Sequence, residues 1–293
     1  MIDLGVQARG GLECGARLAE ICMGSLGTVR LTRPHTDSAG SLSVEVITDH
    51  PLLACLGSQY AGWPIKHDDY FAMGSGPMRL LRGREPILRQ LDLSEEAEIA
   101  VGVLESSALP GEEVVRAMAE ECGVAAEQMT LLVARTRSLA GMIQIVARSV
   151  ETTLHKLAEL STDDAPVPLE SILAAAGTAP LPPPPRNDLE AIGRTNDAIL
   201  YGAQVVLWVE GELQRWKELV ERIPSGASPD YGRPFAEIFQ HYQGDFYAID
   251  PLLFSPAVVR IEHVGSGCTL RAGQTDTDLL RRSFGENRRE GPG

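Results

Sequence analysis

The sequence predicts a mixed α/β protein with room for two domains. Three observations carry that reading. The chain has 293 residues, enough for a sizeable core and long enough that more than one core is usual. Strand-like and helix-like runs alternate between residues 97 and 160, the spacing of an α/β layer. The apolar (44%) and charged (23%) fractions are ordinary for a soluble globular protein.

The elements follow in order. "GTVRLTRP" and "GSLSVEVITDHP" alternate like half-buried strands, each stopped by proline. "LLACLGSQYAGWPI" is rich in small residues and glycine, suited to tight packing or to a backbone approached by a ligand. "YFAMGSGPMRLLRG" reads as a glycine-rich turn with proline inside it. The pattern changes near Ala97, so the expected division is a first domain over residues 1–92 and a second over 93–293. "AEIAVGVLES" reads as a strand, and "PGEEVVRAMAEECG" as a helix with proline ahead, acids in its first turn and glycine at its end. "QMTLLVARTRS" is the next strand, and "GMIQIVARSVETTLHKLAEL" a single amphipathic helix. "APLPPPPRND" reads as a stiff surface loop within a domain. "DAILYGAQVVLWVEG" is strand-like, "ELQRWKELVERI" helical, and "SPDYGRPFAEIFQHY" a turn entering a short helix. The closing "RRSFGENRREGPG" is polar and expected to fray.

The net charge of −14 argues against nucleic acid or an anionic membrane as the main partner, because phosphate binding requires Lys and Arg. It mildly favours cationic ligands. Five scattered cysteines with no CxxC pair read as reduced thiols, which places the protein in the cytoplasm. No apolar run has the length of a membrane span.

On a helical wheel of residues 141–160, Ile143, Val146, Ala147, Val150, Leu154 and Leu157 form one apolar arc. Gln144, Arg148, Glu151 and His155 fall at its border at spacing i, i+4, i+7, i+11 and so project alike. Lys156 falls on the solvent side. Two readings are open. One is an ordinary i,i+3 ion pair worth a few tenths of a kcal/mol. The other is a carboxylate held ionised by arginine at the edge of a cleft, a general base toward water, with Gln144 positioning that water or the ligand. His155 reads more simply as a satisfied histidine than as a functional one. "HDD" at His67–Asp69, "GSG" at Gly74–Gly76 and "TDHP" at Thr48–Pro51 are better read as turns than as sites. No P-loop, dinucleotide fingerprint, nucleophile elbow or zinc-protease motif occurs.

Six longer stretches go further: "TDHPLLACLGSQYAGW", "YFAMGSGPMR", "SLAGMIQIVARSVETTLHKL", "GRTNDAILYG", "SPDYGRPFAEIF" and "GDFYAIDPLLFSP". Together, and in this order, they resemble the methenyltetrahydromethanopterin cyclohydrolases over most of the chain. The resemblance implies hydrolysis of the cationic methenyl bridge of a tetrahydromethanopterin-type one-carbon carrier to the N5-formyl form, as in formaldehyde oxidation or methanogenesis. It implies two α/β domains with a pterin cleft between them, commonly a homotrimer, with no metal and no tightly bound cofactor; the tetrahydromethanopterin derivative is the substrate. An Arg and a Glu three residues apart carry the family's chemistry, and they match Arg148 and Glu151. Gln59, Tyr60, Ser75 and Gly76 match pocket residues. Thr195, Asn196, Asp197, Asp230 and Tyr231 match positions that either bind the pterin or fix turns. The family carries further helical turns ahead of the segment that matches "IDLGV". Two alternatives stay open: a pterin-binding relative without activity, and a cyclohydrolase for a different pterin or folate carrier.

Overall fold

The structure, a computed structural model, describes residues 1–33, 39–162 and 164–285. The closing run expected to fray, residues 281–293, is helical over 281–284, the end of the helix Thr277–Phe284, while residues 286–293 and the proline that stops the first strand, Pro34, lie outside the described residues. In chain order the first part runs β1 (Ile2–Asp3), α1 (Leu12–Cys22), β2 (Gly27–Thr32), β3 (Leu42–Thr48), a π-helical segment (Leu52–Gln59), β4 (Trp63–His67), β5 (Tyr70–Ser75), α2 (Met78–Arg82) and α3 (Pro86–Gln90). Then come β6 (Ala100–Glu105), α4 (Glu112–Glu121), β7 (Met129–Ala134), α5 (Leu139–Val146), α6 (Ser149–Glu159), β8 (Ile172–Leu181) and α7 (Asp188–Gly202). The chain closes with β9 (Gln204–Val209), α8 (Leu213–Leu219), α9 (Phe235–His241), β10 (Val258–His263), β11 (Cys268–Gly273) and α10 (Thr277–Phe284).

The strands form two mixed sheets, ordered β1-β7-β6-β5-β4 and β11-β10-β9-β8-β3-β2. In the first, β1, β7 and β6 are parallel and the β5/β4 hairpin is added antiparallel. In the second, every pair is antiparallel except β9 with β10. The mixed α/β class is therefore as the alternating runs predict. The division expected at residue 92 does not coincide with the sheets, because it passes through both. Gly74 on β5 pairs with Leu104 on β6, and Val46 on β3 pairs with Gly177 on β8. Local pattern reports where element types change, not which distant strands pair.

The helix expected over residues 141–160 is two helices. The carbonyl of Ala147 leaves the helical ladder and accepts from Gln59 Nε2 at 3.2 Å. The Arg148 N–H turns back to Ile145 O at 3.0 Å, a tight i→i−3 bond, and Arg148 sits at φ −86°, ψ 9° between the two axes. The apolar arc survives the break, since Ile143, Val146, Val150, Leu154 and Leu157 all lie in the main core against the second sheet. Two other segments also differ. "YFAMGSGPMR" is β5 running into α2, with only Gly76 at φ +92° making the turn. The run "DAILYG" expected as strand is the end of α7, which starts at an Asn187 cap and continues to Gly202. Short apolar runs fit either period, and the Asn187 cap ten residues upstream decides this one.

Lys156, expected on the solvent face, is 1% exposed. Its Nζ donates to Pro224 O at 2.9 Å, because the loop at Pro224 covers that side of α6. Burial pulls the amine down to about 8, against an upward pull from Asp250. The folded state thus gives up its proton at lower pH than the unfolded chain, so stability rises as pH climbs from about 8 towards 10.5. Chemical denaturation at pH 7.5, 8.5 and 9.5 checks this, with Lys156→Met expected to remove the rise; a wild-type profile that is flat over that range contradicts it.

Candidate active site

Four elements converge on the Arg148 guanidinium. Cys22 comes from the end of α1, Gln59 from the end of the π-helical segment, Ser75 from the end of β5, and Gln144 from α5. Arg148 Nη1 donates to the Gln59 carbonyl. Nη2 donates to Gln144 Oε1 at 3.1 Å and Ser75 Oγ at 3.3 Å, and faces Cys22 Sγ at 3.8 Å. Cys22 Sγ and Ser75 Oγ are themselves 3.2 Å apart. A buried guanidinium with acceptors from four elements has one available position. Gly76 makes this possible: its N–H donates to Ser58 O at 2.8 Å, tying β5 to the π-helical segment, at a positive φ that a side chain would strain.

Glu151 lies in the first turn of α6 and is 4% exposed. Its Oε2 is 4.0 Å from Arg148 Nη1, an ion pair without a hydrogen bond. Among the described residues no hydrogen-bond donor lies on this carboxylate. The expectation was that Arg148 holds Glu151 ionised. Instead, burial is the largest influence and outweighs the downward pulls of Arg148 and Arg79, so the carboxyl rises to about 7. Arg148 fails to win because its N–H groups are committed to Gln59, Gln144 and Ser75. The result is a carboxyl poised between its two protonation states at neutral pH.

Beside this pair, Tyr60 stacks on His155 with ring centroids 4.7 Å apart and planes 19° from parallel. The Arg79 guanidinium lies 5.1 Å over the Tyr60 ring. Arg79 is fully buried and forks onto Glu85, while its Nη1 donates to Leu56 O and Gly57 O, both at 2.9 Å. It thereby satisfies the last carbonyls of the π-helical segment, the same segment that presents Gln59 O to Arg148. Gln59 Oε1 is buried with no partner among the described residues.

The structure thus gathers Gln59, Tyr60, Ser75, Gly76, Gln144, Arg148 and Glu151 around one point. It places Thr195, Asn196 and Asp230 in other hydrogen bonds. Thr195 Oγ1 donates to Ala191 O at 2.8 Å and Asn196 Nδ2 to Ile192 O at 2.8 Å, both within α7. Asp230 accepts from the Tyr242 hydroxyl at 3.0 Å. Asp197 is buried, accepting from Phe235 N at 2.8 Å, and Tyr231 packs on Tyr201. Sequence reasoning missed Cys22, Arg79 and Glu85. An arginine inside the apolar run "MRLLRG" was the one available signal for Arg79; nothing local marks the other two. Among the described residues no three His, Cys, Asp or Glu side chains are grouped to hold a metal, and no helix is long and apolar enough to cross a membrane.

The family model described as Cyclohydrolase (MCH) matches residues 1–284. The chain is 52% identical to the methenyltetrahydromethanopterin cyclohydrolase of Rhodopirellula baltica, over 97% of this chain and 86% of that protein. It is 47% identical to the enzyme of the same name from Methylobacillus flagellatus, again over 97% and 86%. The Methanospirillum hungatei enzyme is 41% identical over 97% of this chain and 89% of its own length. Family match and extensive identity lead to one conclusion: the chain belongs to the MCH cyclohydrolase family.

Proposed function

We propose that this protein hydrolyses the methenyl bridge of a tetrahydromethanopterin-type carrier, with Glu151 as the general base. One observation supports the catalytic role above the others: a nearly buried carboxyl, without a hydrogen-bond donor among the described residues, set 4.0 Å from a guanidinium that other groups hold in place. The methenyl carbon lies between two nitrogens in an amidinium-like cation and is electrophilic. Water attacks it, the new C–O bond forms, and Glu151 takes the water's proton. The neutral carbinolamine then collapses: its hydroxyl proton passes to the departing nitrogen, the C–N bond breaks with its electron pair going to that nitrogen, and the formyl C=O remains. Ionised Glu151 also stabilises the substrate cation, and Arg148, held by its neutral acceptors and charge-balanced by Glu151, orients the carboxylate while that balance limits its repulsion of the ligand. Gln59, Tyr60, Ser75, Gly76 and Gln144 line the pterin side; Thr195, Asn196 and Asp230 hold the elements around it. A homotrimer in the cytoplasm completes the reading. It rests on the family resemblance, on five free cysteines, and on Ile47 and Trp208 exposed on one face of the second sheet.

The poised carboxyl predicts a pH profile. Only ionised Glu151 accepts a proton, so kcat/KM rises with pH and levels off above about 7. Bound substrate is cationic and favours the carboxylate, so the limb in kcat falls at lower pH than the limb in kcat/KM. Steady-state rates across pH 5–9 check both. The function itself is tested by mixing the protein with methenyl-tetrahydromethanopterin, and separately with its folate counterpart, and following loss of the methenyl absorbance. Turnover is expected with the first. Binding without turnover would overturn the catalytic reading, and turnover of the folate compound alone would reassign the carrier.

A further inference from the structure

Hydrolysis of a methenyl cation is not proton-neutral. Water brings two hydrogens; one ends on the departing nitrogen and the other leaves as a proton. With Glu151 as its first acceptor, that proton starts at a side chain only 5% exposed. Each turnover therefore requires a path from Glu151 to bulk water.

One face of α6 carries such a path. Glu151, His155 and Glu159 recur at i, i+4 and i+8, neighbours on successive turns. Their side-chain exposure increases along the row, from 5% at Glu151 to 15% at His155 and 42% at Glu159. His155 Nε2 lies 3.7 Å from Glu159 Oε1, a gap that one water or a small rotation closes. The Tyr60 ring, stacked on the imidazole, fixes its plane. The groups acting on His155 are Glu159, one turn on along its own helix, Tyr60 from the segment after the π-helix, and Arg79 from α2, which forks onto Glu85; Glu151 lies one turn back on the same helix. Burial lowers the imidazole below its ordinary value, Glu159 pulls it back up, and Arg79 lowers it further. Burial thus favours the neutral imidazole. A neutral imidazole takes a proton on one nitrogen and releases one from the other. Tyr60 does not compete, since burial pushes its phenol up to about 12.

We propose that His155 and Glu159 relay the proton from Glu151 to solvent along this face of α6. The inference rests on Glu151 being the base. His155 does not touch the reacting carbon; it empties the base for the next turnover. The Nε2 nitrogen faces Glu159, which leaves Nδ1 to receive the proton.

The test uses His155→Phe, which keeps a ring on Tyr60 but has no nitrogen, with Glu159→Gln and Glu151→Gln beside it. The His155→Phe variant is expected to lose kcat by about 10²-fold, the lower end for a proton-transfer group, with KM unchanged. Added imidazole buffer restores its kcat in proportion to concentration, while the wild type is indifferent to buffer. Glu159→Gln shows a smaller loss with the same rescue. Wild-type kcat in His155→Phe overturns the relay. So does a loss that imidazole does not restore, or one that falls on KM, because packing alone would then explain it. Wild-type turnover that depends on Glu151 keeps the underlying reading whichever way His155 falls.

Discussion

Replacing Glu151 with glutamine lowers kcat by about 10²- to 10⁴-fold, the range for a positioned proton acceptor. The amide has the carboxyl's shape but cannot take water's proton. It also lacks the negative charge that stabilises the substrate cation, so part of the loss reaches kcat/KM through binding. Misfolding is not the expected cause, and stability is the check. Burial raises the Glu151 carboxyl from 4.5 to about 7 in the folded state. The folded chain therefore holds a proton that the unfolded chain has already lost between those values. The stability this gives is complete below the unfolded value and lost as pH rises through the folded one. At pH 8 the wild type buries a charge that Glu151→Gln does not, so the variant melts at the same temperature or higher. Stopped-flow rates and a melt at pH 8 check both halves. A loss under tenfold would remove Glu151 from the chemistry.

Arg79→Met is the largest stability effect expected. Arg79 is fully buried, and its removal leaves Glu85 without the cation it forks with and takes the donor from Leu56 O and Gly57 O. Breaking a buried pair from one side costs about 3–5 kcal/mol. The loss also reaches activity, because those carbonyls end the segment that offers Gln59 O to Arg148. Arg79→Lys falls between, keeping charge but not the planar fork. The double variant Arg79→Met with Glu85→Gln is milder than Arg79→Met, since no stranded carboxylate remains. Urea unfolding of the four proteins measures this. An Arg79→Met loss under about 1 kcal/mol contradicts the role, because that is the size of an exposed pair.

Local order and the proximity of Arg148 and Glu151 were legible in the sequence. The acids and glycine around α4 mark its ends, and the border stripe of Gln144, Arg148 and Glu151 marks the helical surface that faces Gln59 and Ser75. The rest depends on distant partners. Gln59, 88 residues away, breaks the helix at Ala147, and no periodicity within residues 141–160 shows that. Lys156 looked solvent-facing until the Pro224 loop covered it. The balance of influences on Glu151 is equally non-local: the sequence shows Arg148 three residues away, but not the burial that raises the carboxyl or the acceptors that occupy Arg148. Thr195, Asn196 and Asp230 carry polar side chains in matching stretches, and only the fold shows them bonded to α7 and Tyr242.

The most direct test is an infrared titration of the Glu151 carboxyl in the substrate-free protein, taken as the difference between wild type and Glu151→Gln. The predicted result is a protonated C=O band that disappears with a midpoint near 7 and matches the acid limb of kcat/KM. A midpoint near 4.5, the value for an exposed glutamate, or a kcat/KM limb that persists in Glu151→Gln, would contradict the claim that burial poises this carboxyl as the base.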